Sequence, residues 1–151
     1  MAEAFSFPLP VFFDSDVMIA GSVSTHGASF ALLQLAELGL IKGTISEQVL
    51  EECRKNLAEK LPDAFIPFEQ IVIRCVTVYE DSTSTIFGSL ASNQADPKDA
   101  SILGAALGAG ARFLVTFNVK DYWPKPDTPI TVLRPADLLH RIRSGLSRLD
   151  T

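Results

Sequence analysis

Leu9-Pro10-Val11-Phe12-Phe13-Asp14-Ser15-Asp16-Val17 is a short apolar run that breaks abruptly into acid. Five residues, Leu9 to Phe13, carry no charge, and prolines stand at both positions 8 and 10, so the run reads as a buried strand. It ends at Asp14. A carboxylate at the end of a buried strand is costly to desolvate unless a cation, a helix N-terminus or a hydrogen-bond network compensates it. Asp14 therefore either caps the segment that follows or belongs to a site. Asp16 has a simpler reading, since an Asx side chain commonly bonds the backbone of its own turn.

Working outward, strands and helices alternate. Ser24–Ser29 is a polar loop, and Phe30–Leu38 has apolar residues at helical spacing with Gly39 as its stop. Thr44-Ile45 reads as a short strand. Ser46 is a good N-cap for a helix that Pro62 halts. A further helix is expected over Asp63–Ile73, with Pro67 awkward inside it, then a strand at Val76–Tyr79. Thr85–Ser92 predicts a short helix. Asp96 and Pro97 fit the N-cap and first turn of a helix that runs to Ala109 and stops at Gly110, which puts Asp99 at its third position. Arg112–Thr116 and Ile130–Leu133 are strands, and Pro135 opens the last helix. The pattern predicts one α/β domain over residues 1–151, a three-layer α/β/α arrangement with a mostly parallel sheet of four to five strands. Ligands in such folds gather at the carboxyl ends of the strands. Asp14, Asp121 and the Asp96–Asp99 helix start all lie at that rim in this reading.

Composition narrows the function classes. With 47% apolar and 21% charged residues the chain suits an ordinary globular core. No apolar run approaches the roughly 18 residues that cross a membrane. The start, Met1-Ala2-Glu3-Ala4, lacks the basic residues of a secretory leader, so a cytoplasmic setting is expected. Cys53 and Cys75 have no CxxC spacing and read as small buried residues. A net charge of −5 argues against a broad basic surface, although carboxylates that hold metal count as negative in that sum. Basic residues gather late, at Arg134, Arg141, Arg143 and Arg148, among only Asp137 and Asp150. His26 in a polar loop and His140 among basic residues read as surface groups.

On the helix that starts at Glu47, Val49, Leu50, Cys53 and Leu57 share one face at about 100° per residue. Glu51 then points to solvent, while Glu47 and Glu52 sit on the two shoulders of the apolar face. A shoulder acid reaches a site that borders the core. Periodicity therefore favours Glu52, and Glu47 is explained by its place in the first turn.

Taken together and in order, these elements resemble the PIN-domain family of ribonucleases, and among them the small VapC-like toxin nucleases. The family's first strand ends in D-[ST]-[ND], here Asp14-Ser15-Asp16. Its S-x-x-x-x-x-E helix matches Ser46 to Glu52, its D-x-x-D-A helix start matches Asp96 to Ala100, and its L-V-T-x-[ND]-x-x-D-[FYL] turn matches Leu114 to Tyr122. The resemblance implies catalytic, metal-binding roles for Asp14, Glu52, Asp99 and Asp121. It implies supporting roles for Ser15, Asp96, Thr116 and Asn118. Asp16 stands where many members carry Asn, and Asn118 where some carry Asp, which moves the acidic role onto Asp121. The implied cofactor is Mg2+ or Mn2+ and the implied substrate RNA. An antitoxin protein or a second copy of the chain would be the partner, with Phe30–Leu38 as its apolar surface if that helix is not simply core.

Two other readings compete. A non-catalytic PIN-like scaffold for RNA or protein fits the low pI but gives no reason for clustered acids. A haloacid dehalogenase-like phosphatase shares the D-x-D after the first strand and a later threonine at Thr116. Its second acid pair should follow that threonine, whereas Asp96 and Asp99 precede it.

Overall fold

The computed structural model of the chain describes residues 6–80 and 85–147. Met1–Ala4, Arg148 and Asp150 lie outside the described residues. Five strands form one sheet: β1 (Leu9–Phe13), β2 (Ile41–Ser46), β3 (Val76–Tyr79), β4 (Phe113–Val115) and β5 (Thr131–Leu133). Every pairing is parallel and the order is β3-β2-β1-β4-β5. Among the described residues seven α-helices connect them: α1 (Ser15–Val23), α2 (Ala28–Glu37), α3 (Glu47–Lys60), α4 (Phe65–Cys75), α5 (Thr85–Ala91), α6 (Ala100–Gly108) and α7 (Pro135–Ser147).

Val11, Phe12 and Phe13 of the central strand are all 0% exposed. Successive strand side chains point to opposite faces, so both faces of the sheet are covered at its centre, as a parallel sheet requires. α1 to α4 and α7 pack among themselves, while α5 packs on α6 and α6 on β2. The α/β class and the strand count are as expected.

The elements differ from the sequence reading in ways that have local causes. α1 was not anticipated. It is apolar nearly all round, so it lacks the one-sided stripe that marks a surface helix. β2 is longer than Thr44-Ile45 because Gly43 sits inside it: a Cβ there would lie 2.7 Å from the Cys75 carbonyl oxygen. Pro67 fits α4 because it occupies the third helical position, where a backbone N–H has no acceptor within the helix. A 3-10 turn at Pro62–Ala64 precedes that helix. α6 begins at Ala100, three residues later than Asp96-Pro97 suggests. Asp96–Asp99 is instead a turn, closed by Asp99 N–H on the Asp96 carbonyl at 2.8 Å, and Asp99 is the N-cap.

The anticipated stops hold. Gly39 and Gly110 adopt φ of +88° and +73°, and the residue after each donates back into its helix, Leu40 to Leu35 and Ala111 to Ala106. In α2, Leu32 and Leu33 are buried in the core and Leu38 beyond its end is exposed. Cys53 is buried, Cys75 half-buried, and both thiols are free. His26 and His140 are exposed.

The order of strands positions the site. From β1 the chain steps to β2 and β3 on one side, then returns through α5 and α6 to place β4 on the other side of β1. The connections therefore diverge between β1 and β4, and in open parallel sheets that is where a crevice forms at the carboxyl ends of the strands.

Candidate functional site

The crevice is lined from both sides by the residues that end its strands. Phe13 pairs with Val115, and Asp14 N–H continues the ladder onto the Val115 carbonyl at 3.0 Å. Asp14 and Thr116 thus emerge side by side although they are 102 positions apart. Asp14 is 8% exposed and Thr116 fully buried. Asp14 Oδ1 accepts the Ser15 N–H at 2.8 Å, so the residue caps α1 as well as lining the crevice. Its Oδ2 accepts the Thr116 hydroxyl at 3.0 Å and the Tyr122 hydroxyl at 2.9 Å.

Asp16, on the first turn of α1, faces the same crevice. Its Oδ2 accepts the Phe117 N–H at 3.0 Å and the Asn118 side-chain amide at 3.3 Å, with the Thr116 hydroxyl 3.4 Å away. Its Oδ1 is buried with no partner. Burial first, and the neighbouring Asp14 charge second, raise its pKa from 3.8 to about 6, against the opposing pull of the Phe117 N–H.

Asp99 approaches from the start of α6. Its Oδ2 is also buried without a partner. Burial and then the Asp14 charge push its carboxyl above the usual range; Asp121 and Asp96 add to this and Lys98 opposes it. Asp121 lies half-buried in a 3-10 turn, Val119–Asp121, with Lys98 Nζ 4.0 Å from its Oδ2. Asp96 Oδ1 accepts the Lys98 N–H at 3.2 Å and shapes the turn that delivers Asp99.

Glu52 stands at the rim. It is exposed on α3, and its Oε1 accepts the Gln48 amide at 3.1 Å, while Gln48 in turn takes the Ser101 hydroxyl of α6 at 2.8 Å. Its neighbour Cys53 is buried against α1, with Sγ 3.6 Å from the Ser15 carbonyl. Burial and the charges of Glu52, Asp14 and Asp16 push that thiol up to about 12, so it stays protonated.

The fold therefore brings Asp14, Asp99 and Asp121 to one crevice with Thr116, Asn118 and Asp96, and sets Glu52 at its edge. Ser15 contributes its backbone. Among the described residues no three carboxyl, imidazole or thiol groups already converge as a cage for an ion. Sequence reasoning passed over Asp16 and Tyr122. Asp16 was explained by its own turn because α1 was not foreseen; a helix there would have aimed it back toward Asp14. Tyr122 enters the sequence reading only as the last residue of the turn motif, and its hydroxyl, bonded to Asp14 Oδ2 and kept protonated by burial and the Asp14 charge, is what marks it as part of the site.

A second link fastens the two halves of the rim. Asp96 N–H bonds the Asp121 carbonyl at 2.8 Å, Trp123 N–H bonds the Gln94 carbonyl at 2.6 Å, and Ala95 bridges Tyr122 antiparallel. Gln94, 5% exposed, pins this clasp: its Oε1 accepts the Lys125 N–H and the Thr128 hydroxyl, and its Nε2 donates to the Leu90 carbonyl.

A family model described as PIN domain matches residues 10–120. No curated protein matches the chain. Eleven chains of solved structures do. One is from the crystal structure of VapBC2 from Rickettsia felis bound to a DNA fragment from their promoter. The match has a TM-score of 0.66 and 16% identity, covering 82% of this chain and 98% of that one.

Proposed function

The chain belongs to the PIN-domain family, and from that membership we propose that it is an endoribonuclease dependent on Mg2+ or Mn2+. Asp14, Asp99, Asp121 and Glu52 would hold the ion, with Asp16 beside them. The observation that carries this is the pair of buried carboxylate oxygens, Asp16 Oδ1 and Asp99 Oδ2, that no donor in the chain satisfies. Unpaired buried anionic oxygens are expensive, and a hard cation is the partner that suits them. The donor set fits, being oxygen alone. Mg2+ takes few carboxylates and keeps several waters, so it does not require a closed cage. A scaffold would have no use for this arrangement.

When bound, the ion would polarise a phosphodiester and lower the pKa of water. The chain's own part is placement. Thr116 and Tyr122 fix the Asp14 carboxylate by donating to one of its oxygens, and Asn118 and the Phe117 N–H do the same for Asp16. Locked ligands of this kind hold a metal at a defined point, and loss of such support typically weakens binding 10–100-fold. Lys98, beside Asp121, offers a positive charge to a phosphate at the rim.

The wider role in this reading is that of a cytoplasmic toxin restrained by an antitoxin. The fold match to a VapBC2 structure supports the choice. Among the described residues no helix is long and apolar enough to cross a membrane.

The test is calorimetric titration with Mn2+ followed by cleavage of a single-stranded RNA. The wild type should bind the ion and cut; Asp14→Asn and Asp99→Asn should fold, lose the binding and lose the cleavage. Full activity in either purified variant would defeat the assignment. A wild type that ignores Mn2+ even with RNA present would favour the scaffold.

A further inference from the structure

Phe117 and Trp123 are exposed by 43% and 53%, and they flank the turn that carries Asn118, Asp121 and Tyr122. Scattered apolar side chains on a surface need no explanation, but two large aromatics at the two ends of the site's own turn are not scattered. Both are held in place by the site. Phe117 N–H is bonded to Asp16 Oδ2, and the residue before Trp123 is bonded through its hydroxyl to Asp14 Oδ2. The indole itself is fixed: its Nε1–H donates to the Lys120 carbonyl at 2.7 Å, and the Trp123 backbone N–H is tied to Gln94.

We propose that Phe117 and Trp123 are stacking platforms for unpaired nucleobases of a single-stranded RNA on either side of the phosphodiester that the acids engage. This rests on the nuclease reading above and names the groups that hold its substrate. The chemistry of the two rings decides what they can hold. The Phe117 side chain has no polar group, and the indole N–H of Trp123 is spent inside the turn. Each ring therefore offers a π face and nothing that reads a base edge. Stacking of this kind tolerates any base. It needs bases whose faces are open, which excludes a continuous duplex, where each face is already covered. Lys120, exposed between the two rings in sequence, and Lys98 at the acid rim supply point charges for the flanking phosphates. The Trp123 ring is tied to the Lys120 carbonyl before binding, so little conformational freedom is lost in using it.

The chain has one tryptophan, which makes the test specific. The probe is a fluorescein-labelled, 2′-O-methylated single strand of mixed sequence, titrated into full-length protein in Mg2+. Binding is read by anisotropy, and Trp123 emission by an unlabelled strand of the same sequence. The single strand should quench Trp123 as it binds, and the matching duplex should not. Phe117→Ala and Trp123→Ala should each weaken binding about 5- to 100-fold, the range expected for loss of one stacked base. Trp123→Phe should keep most of the affinity, because it loses the bond to Lys120 but retains a ring. Mn2+ titration of the same variants reports on the acids: RNA and Mn2+ binding lost together in Trp123→Phe as well as Trp123→Ala would mean that the indole braces the turn and does not stack, which also overturns the inference. Wild-type affinity in both alanine variants overturns the inference and leaves the nuclease reading standing. So does binding of the strand with unchanged Trp123 emission, equal affinity for the duplex, or no binding at all. Loss of Mn2+ binding in the wild type strikes the nuclease reading instead and is seen without RNA.

Discussion

An ionised Asp16 has three donors within reach of one oxygen and none for the other, with Asp14 next to it. That imbalance gives a prediction about pH. The carboxyl titrates near 3.8 when the chain is unfolded and near 6 when folded. Between those values the folded state holds more protons, so this group lowers stability as pH rises through the window. Asp99 is shifted in the same direction. In EDTA, Asp16→Asn should melt higher than the wild type at pH 7, with the advantage shrinking toward zero by about pH 4. Scanning fluorimetry across that range measures it; a constant difference would show that Asp16 is not under this load. The residue scale is also where the sequence was most and least informative. Asp14 stands out because a strand of five uncharged residues ends on it, and Asp99 and Asp121 follow from the ordered motifs. Asp16 and Tyr122 were not legible. Their roles depend on contacts with residues about a hundred positions away, and no local pattern records such a contact.

Elements were legible where backbone chemistry enforces them. Gly39 and Gly110 end their helices because a left-handed residue is needed there, and any side chain would strain it. They were misread where a local signal has two uses. Asp96-Pro97 has the chemistry of a helix start, yet the same pair makes the turn that sets Asp99 at the N-cap. The clasp between residues 94–96 and 121–123 could not be foreseen, since it joins two connecting segments and neither has a strand pattern. Its pin is open to test. Gln94→Leu keeps the bulk but leaves the Lys125 N–H and the Leu90 carbonyl without the bonds they make now. Stability should fall by about 1–3 kcal/mol, seen as a lower urea midpoint. Mn2+ should bind more weakly, because Asp121 hangs from the same clasp. An unchanged midpoint would mean that the loop is held elsewhere.

On the scale of the molecule, alternation of strands and helices was enough to give a parallel α/β sheet, while the order β3-β2-β1-β4-β5 was beyond it. Pairing order is decided by long-range packing, and each strand here is short enough to fit several places. That order concentrates charge. Asp14, Asp16, Asp96, Asp99, Asp121 and Glu52 together exceed the whole net charge of −5. The rim should therefore repel RNA until cations neutralise it. Affinity for a single strand should rise at least tenfold when Mg2+ replaces EDTA at constant ionic strength. The monovalent-salt dependence should stay shallow, as Lys98 and Lys120 are the cations this rim offers to phosphate. Filter binding at several salt concentrations separates the two; a steep salt slope with no response to Mg2+ would place RNA on another surface. The pairing of Phe13 with Val115 has one more consequence, and it concerns time. A ribosome makes the first acid long before β4, Thr116 and Tyr122 exist to hold it. On the nuclease reading, the growing polypeptide therefore has no assembled cutting centre, and the message being translated meets none, until β4, Thr116 and Tyr122 have emerged and folded onto β1.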